Sequence, residues 1–281
     1  TIDEHEAPNI FATPLYWVSQ RDVMKYTDGS WQKKWTSGWR RVSATTNERT
    51  FLQTIFPNAG FGDSIFLMYL NSEQFCTPAM LGSLASFVFD FLARQKMGGV
   101  NLSFYIVGQL PVLLPSTFIR LCLWENRHFK FHDWLLPRVL ELTYTAWDLE
   151  PFAKDCGWDG PPFRWDEDRR FLLRCELDAA IFHLYLPSTP DGQWKPARVA
   201  DGAVRDETPA ELAELKKHFP TPRDAVAYIM DTFPIVRRKD EERYGDYRTK
   251  RVILEIYDEI AEAIRTGRPY QTRLDPPPAD P

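Results

Sequence analysis

Thr77-Pro78, the apolar run Ala79–Ala93, Arg94-Gln95-Lys96-Met97-Gly98-Gly99, Asn101-Leu102-Ser103-Phe104-Tyr105-Ile106-Val107 and Gln109-Leu110-Pro111 form the stretch whose reading decides the fold. Thr77 suits an N-cap and Pro78 the first helical position. Leu81, Leu84, Ala85, Val88, Phe91 and Leu92 recur at helical spacing, and Phe87 and Phe89 add apolar mass on the other sides. The pattern predicts one core helix over 79–93, buried nearly all round. Gly98-Gly99 is expected to close it in the left-handed conformation. A strand is then expected over Leu102–Val107, stopped by Pro111 and Pro115.

Outward from this unit, residues 1–13 read as a linker, and 14–115 as a β-rich module around the core helix. Pro14–Tyr26 reads as extended and Asp28-Gly29 as a turn. Strands are expected at Trp39–Ala44, Phe51–Phe56 and Ile65–Leu70. From Phe118 the periodicity becomes helical. Helices are expected over Asp133–Cys156 and Asp166–Leu186, after capping residues at Thr208 and Thr221, and over Asp246–Arg265. The fold class is therefore α+β: a β-rich module followed by a mainly helical region, 116–265. Residues 187–207 read as a flexible loop. The proline-rich residues 266–281 read as a disordered tail.

The chain of 281 residues is 44% hydrophobic and 26% charged, the balance of a globular protein with a real core. Helix 79–93 is too short, and too interrupted by Ser83, Ser86 and Asp90, to span a bilayer. No signal peptide is visible, and the acidic, unpatterned start reads as the edge of a longer protein. Cys76, Cys122, Cys156 and Cys175 form no Cys-x-x-Cys pair, which predicts reduced thiols in a cytoplasm. His128 and His132 are four apart but have no acidic or thiol partner at ligand spacing, so no metal site is expected.

Net charge is −5, but unevenly spread. Residues 1–130 hold 12 Lys and Arg against 10 Asp and Glu, and the remainder 22 against 29. Seven basic residues face three acidic ones within 14–50, interleaved with Trp31, Trp35 and Trp39. Basic and amide side chains on strands and turns can hold a phosphate backbone and read base edges. The candidate DNA-contacting residues are Lys33, Lys34, Arg40, Arg41, Asn47, Arg49, Arg94, Gln95 and Lys96. For Arg94 the alternative is an ion pair with Asp90 one turn back, and for Asn47 a turn cap. The run from Arg237 to Arg251 alternates with acids and reads as a salt-bridged surface.

No catalytic constellation is present. There is no P-loop, no Gly-x-Ser-x-Gly elbow and no His-Glu-x-x-His. Gly60-Phe61-Gly62 reads as a turn. Asp159-Gly160-Pro161-Pro162-Phe163 reads as a rigid connector, since Gly160 interrupts the contiguity of a methyltransferase Asn/Asp-Pro-Pro-Tyr/Phe loop. Asp166-Glu167-Asp168 are consecutive and cannot face one site on a helix.

These residues also carry a resemblance. Thr46-Asn47-Glu48-Arg49-Thr50 with Ile55-Phe56-Pro57, Arg94–Leu102 with Gln109-Leu110-Pro111, Tyr144–Leu149, Gly160–Asp166, Asp231–Val236, Tyr247–Arg251 and Ile253–Tyr257 resemble the C-terminal region of large DNA adenine-N6 methyltransferases. The similarity is to those of DISARM-like phage defence and type IIG restriction–modification systems. The helix, glycine turn, strand and proline ending also resembles the close of a type I target-recognition domain. The resemblance implies DNA target recognition and clamping by this region. In that family an upstream domain of the same chain binds S-adenosylmethionine and methylates a flipped adenine. No cofactor is then expected here, and the implied partners are double-stranded DNA, the upstream domain and other defence subunits. The alternative from another class is a protein-interaction scaffold built on the acidic C-terminal half.

Overall fold

The computed structural model describes residues 2–12, 17–27, 31–70, 76–126, 128–201, 203, 205–274 and 277. Its elements run in the order α1 (Gln20–Thr27), β1 (Trp35–Arg40), β2 (Gln53–Pro57), β3 (Ile65–Met68), α2 (Cys76–Leu84), α3 (Phe87–Lys96), α4 (Phe131–Thr143), α5 (Glu150–Asp155), α6 (Glu167–Tyr185), α7 (Pro209–His218), α8 (Pro222–Asp231), α9 (Pro234–Tyr244) and α10 (Arg248–Thr266). Single helical turns at Phe104–Val107 and Pro115–Phe118 link α3 to α4. The architecture is α+β with a helical C-terminal region, as the sequence predicts.

The three strands form one antiparallel sheet in the order β2-β1-β3, with Ser37 opposite both Ile55 and Met68. Alternation along β1 puts Trp35 and Trp39 on one face. Trp39 enters a cluster with Phe51, Phe89 and Leu102, while Trp35 enters another with Trp31, Phe152 and Phe163. Gly38 lies between them because β3 passes so close that a Cβ there would meet the Phe66 carbonyl oxygen at 2.4 Å.

The expected helix over 79–93 is two helices, broken at Ala85-Ser86. Ser86 caps α3 by accepting from the Phe89 amide at 3.3 Å, and its hydroxyl donates to the Ser83 carbonyl at 2.7 Å. Asp178 of α6 accepts from the Phe87 amide at 2.6 Å. A carboxylate distant in sequence thus stabilises a break that two serines already favour. Met97 ends α3 with φ −85°, and Gly98-Gly99 are not left-handed.

The strand expected over Leu102–Val107 is absent. Leu102 donates to the Arg41 carbonyl at 2.8 Å and Val42 bridges Asn101, but the indole of Trp39 takes the Leu102 carbonyl at 2.9 Å. The chain then turns at Ser103 into one helical turn. The aromatic and β-branched composition predicts a strand; the indole uses the carbonyl a ladder needs. Strand 39–44 is shifted to 35–40, because β2 and β3 pair with 35–40 and beyond Arg40 only the isolated Val42 bridge remains. Residues 13–16 and 28–30 lie outside the described residues, and Gln20–Thr27 is helical rather than extended.

Asp133–Cys156 is likewise interrupted. After α4 the Tyr144 carbonyl accepts from the Phe163 amide at 2.9 Å, and the chain restarts at α5 with Pro151 in its first turn. A proline fits the first turn of a helix, where its missing N–H is not needed, so Pro151 carries the signal of this restart in the sequence. Helix α6 and the capping boxes Thr208/Glu211 and Thr221/Asp224 agree with the sequence reading. Helix α9 is not evident from the sequence: its charged face hides it, and left-handed Gly245 (φ 77°) ends it.

The core runs across residue 115. Ala79 and Val88 of α2 and α3 share one cluster with Trp134, Phe182, Val226, Ile253 and Ile260. Loop 187–207 is irregular but anchored, with Ser188 bridging Trp194 and the Trp194 indole donating to the Phe219 carbonyl at 2.8 Å. Among the described residues no helix is long and apolar enough to cross a membrane.

The expected disorder from Thr266 does not hold through Leu274. Buried Glu176 pairs with Arg138 at 2.7 Å, and its other oxygen accepts from the Tyr270 hydroxyl (2.9 Å), the Thr272 hydroxyl (2.8 Å) and the Arg273 amide (2.9 Å). Replacing Glu176 by Ala leaves Arg138 buried without a counter-charge and unlatches this segment. Urea unfolding is expected to show a loss of about 3–5 kcal/mol for Glu176→Ala. Tyr270→Phe is expected to cost about 1–2 kcal/mol. A Glu176→Ala variant as stable as the parent, with no new proteolysis after Thr266, would refute the latch.

Candidate nucleic-acid interface

Asp90 of α3 organises the basic loop that precedes β2. It is fully buried, and its carboxylate accepts from the amides of Thr50 (2.9 Å) and Phe51 (2.6 Å). Arg49 lies 3.3 Å and Arg94 3.6 Å from the same group. Arg94 also donates to the carbonyls of Asn47 (2.9 Å), Glu48 (3.0 Å) and Thr232 (3.2 Å) and stacks over Phe233 at 4.1 Å. Loop 44–50 is thereby tied to α3 and to the turn after α8.

The nine candidate residues divide accordingly. Arg49 and Arg94 are internal braces rather than groups free to meet a ligand's backbone, and Arg49 also donates to the Ala85 carbonyl. The sequence alternative for Arg94, a pair with Asp90, is the one observed. Lys33 lies over the Trp35 ring at 4.7 Å and 3.6 Å from Asp155. Asn47 supplies its carbonyl to Arg94, and its amide reaches the Ser43 hydroxyl only at 3.5 Å. Lys34, Arg40, Gln95 and Lys96 are exposed and make no ion pair among the described residues.

Arg40 and Arg41 lie at the end of β1, whereas Gln95 and Lys96 end α3, next to Arg94. The Ser43 amide donates to Val100 (2.9 Å), the Leu102 amide donates to Arg41 (2.8 Å), and Val42 bridges Asn101, so segments 41–43 and 100–102 run antiparallel side by side at one end of the sheet. Arg41 pairs with Asp63 at 2.6 Å, where Asp63 is largely exposed. Phe104 and Tyr105 follow directly, and Tyr105 is 80% exposed. This edge therefore offers the Arg41 cation, the exposed Tyr105 ring and the outer side of Phe104, whose ring packs on Phe66 at 4.3 Å.

A second basic site was missed by the sequence reading. A cleft of about 820 Å³ opens where the α2–α3 break faces α6 and the α9–α10 turn. Arg170, Arg174 and Asp178 line it from α6 at four-residue spacing, the signal that could have marked one stripe. The bulk acidity of the C-terminal half obscured it. Arg248 reaches in over the Phe171 ring at 4.1 Å, and Arg49 and Arg243 also line it. The basic run beyond Arg237 otherwise forms ion pairs, such as Arg237 with Glu241 and Arg251 with Asp246, as the sequence predicts.

Burial tunes several groups. It pushes the thiols of Cys122 and Cys156 up to about 12 and that of Cys175 well up, so all three stay protonated and poorly nucleophilic. Burial raises Asp178 from 3.8 to about 6, with Arg49 opposing. Burial lowers His183 from 6.5 to about 4, and its Nε2–H donates to the Tyr257 carbonyl at 3.0 Å while its ring stacks on Tyr257 at 3.8 Å. Among the described residues no three His, Cys, Asp or Glu converge as a metal site.

Removing the Asp90 carboxylate strands two amides and two guanidinium groups. Asp90→Ala is expected to lower unfolding free energy by about 3–5 kcal/mol, measured by urea titration. An effect below about 1 kcal/mol would contradict the bracing role. His183 is neutral in the fold while its unfolded form protonates below 6.5, so its contribution is present above 6.5 and is lost as pH falls toward 4. Asp178 has the opposite sign: its contribution is present below 3.8 and is lost as pH rises through about 6. The stability difference between the parent and His183→Gln is therefore expected to grow by about 2–3 kcal/mol from pH 4 to 6.5. A difference independent of pH would refute the buried neutral imidazole.

Comparison with protein-family models, with curated proteins and with solved structures finds no match to this chain.

Proposed function

We propose that this chain recognises and clamps double-stranded DNA for an adenine-N6 methyltransferase whose S-adenosylmethionine-binding catalytic domain is not among these residues. The observation that supports this reading is the pairing of segments 41–43 and 100–102 at one end of the sheet, next in the chain to exposed Arg40 on one side and to exposed Gln95 and Lys96 at the end of α3 on the other. Arg40 and Lys96 are exposed and make no ion pair among the described residues, which suits them to phosphate oxygens. Gln95, next to Lys96, has the donor and acceptor needed for an adenine edge. The exposed Arg41–Asp63 pair is worth at most about 1 kcal/mol, so Arg41 exchanges its carboxylate for a phosphate at little cost. Phe104 and Tyr105 add ring faces for contact with sugar or an unstacked base. Register would come from these contacts, and the catalytic domain would extrude the adenine, because its N6 is not reachable within the stack.

A second reading, a protein-interaction scaffold, is favoured by Leu114, Ile119, Leu121, Leu123 and Phe129, which are exposed within one short segment.

Binding to a labelled duplex across a salt series separates the two. Affinity is expected to fall steeply with salt, and the Arg40→Ala/Lys96→Ala variant is expected to reduce the log–log slope by about 2, one for each phosphate that its cation no longer neutralises. No binding at low salt by folded protein would overturn the DNA reading and turn attention to the apolar segment.

A further inference from the structure

We infer that the turn at Phe104-Tyr105 and Arg41 form a seat for one unpaired nucleotide, with the Tyr105 ring stacking on its base and the Arg41 guanidinium holding its phosphate. The inference rests on the DNA reading of this end of the sheet and names the form of DNA that it takes.

Tyr105 is 80% exposed, although a ring of this size gains by lying against its neighbours. Its backbone keeps it out. The Leu102 amide donates to the Arg41 carbonyl at 2.8 Å and the Leu102 carbonyl accepts from the Trp39 indole at 2.9 Å, so the chain enters the turn from a fixed point. The amides of Ile106 and Val107 donate to the Ser103 carbonyl at 3.1 and 3.0 Å, and the Gln109 side chain donates to the Tyr105 carbonyl at 3.0 Å. Phe104 is the buttress: its ring meets Trp39 edge-on at 5.0 Å and lies 4.3 Å from Phe66. Tyr105 thus projects from a turn tied on both sides, and its exposure is built into the fold.

Arg41 belongs to the same surface. Its guanidinium lies 5.8 Å from the centre of the Phe66 ring, which Phe104 also contacts. Its partner Asp63 is an exposed carboxylate in the loop before β3, a contact that a phosphate can replace. Val42 and Val100, in the two paired segments, are 45% and 58% exposed. A free ring face and open apolar side chains beside a displaceable cation match a group that is flat at one end and anionic at the other. A base inside the duplex keeps its faces covered by its stacked neighbours. An unpaired base offers a face, and stacking on an aromatic side chain accepts any base. The cation is what favours a nucleotide over an apolar protein surface.

Fluorescence anisotropy with three labelled duplexes of one sequence tests this. One is fully paired, one carries a bulged adenine, and one carries a bulged abasic nucleotide, which keeps the backbone distortion but lacks the base. The adenine bulge is expected to bind about tenfold more tightly than the other two. Tyr105→Ala is expected to bring that ratio to about one, and Tyr105→Phe to keep it. Tyr105→Ala is expected to unfold at the same urea concentration as the parent, because the ring it removes is exposed. Arg41→Ala is expected to weaken binding of the adenine bulge and to lower its log–log salt slope by about one. Equal affinity for the two bulges, survival of the preference in Tyr105→Ala, or indifference to Arg41→Ala would each overturn the inference. Salt-dependent binding of the paired duplex with no preference for the adenine bulge would overturn it alone and leave the DNA reading standing. Binding of none of the three duplexes by folded protein would overturn both.

Discussion

A buried carboxylate that ends up fully coordinated is the constraint on which this structure turns, and Asp90 is its plainest case. With no exposure to water, it must collect enough hydrogen bonds and positive charge to replace its hydration. It does so with two backbone amides of the chain entering β2 and two arginines. The consequence is mechanical: loop 44–50, α3 and the turn after α8 cannot move independently. Arg40 at the end of β1 and Lys96 at the end of α3 are therefore presented by a braced scaffold rather than by a mobile loop.

Helix α6 repeats the device twice more. Glu176 gathers Arg138 and the segment after α10, so the end of the chain closes over the core. Asp178 caps α3 through the Phe87 amide and so holds the break in what would otherwise be one helix. That break leaves room for the cleft, whose arginines project from the same helix. One helix thus supplies the anchor for the terminus, the cap that opens the cleft and the cations that line it. Asp178 carries the electrostatic cost: burial holds its proton more tightly than usual, whereas His183 one turn and a half further on is kept neutral by the same low polarity.

The two basic sites differ in how visible they are before folding. Arg40, Arg41, Gln95 and Lys96 stand out as charge among aromatics, and they remain at the surface. Arg49 and Arg94 look the same in sequence but are consumed inside the fold. Nothing local separates an arginine that reads a ligand from one that satisfies a buried acid; only the position of Asp90 does. Arg170 and Arg174 do not stand out, because a net negative charge over half the chain says nothing about where individual acids find partners.

The amino-acid sequence by itself determined the α+β class, the helical C-terminal region, helix α6 and the capped starts of α7 and α8. Those features depend on periodicity and on capping contacts within a few residues, which are encoded locally. Tertiary structure decided the break at Ser86, the loss of the strand after Leu102 and the ordering of the chain through Leu274. It also decided which arginines stay free. Each of these depends on a hydrogen-bonding group far away in the chain: Asp178, the Trp39 indole, Glu176 and Asp90. Local propensity differs between such alternatives by less than one buried hydrogen bond contributes, so the distant partner prevails.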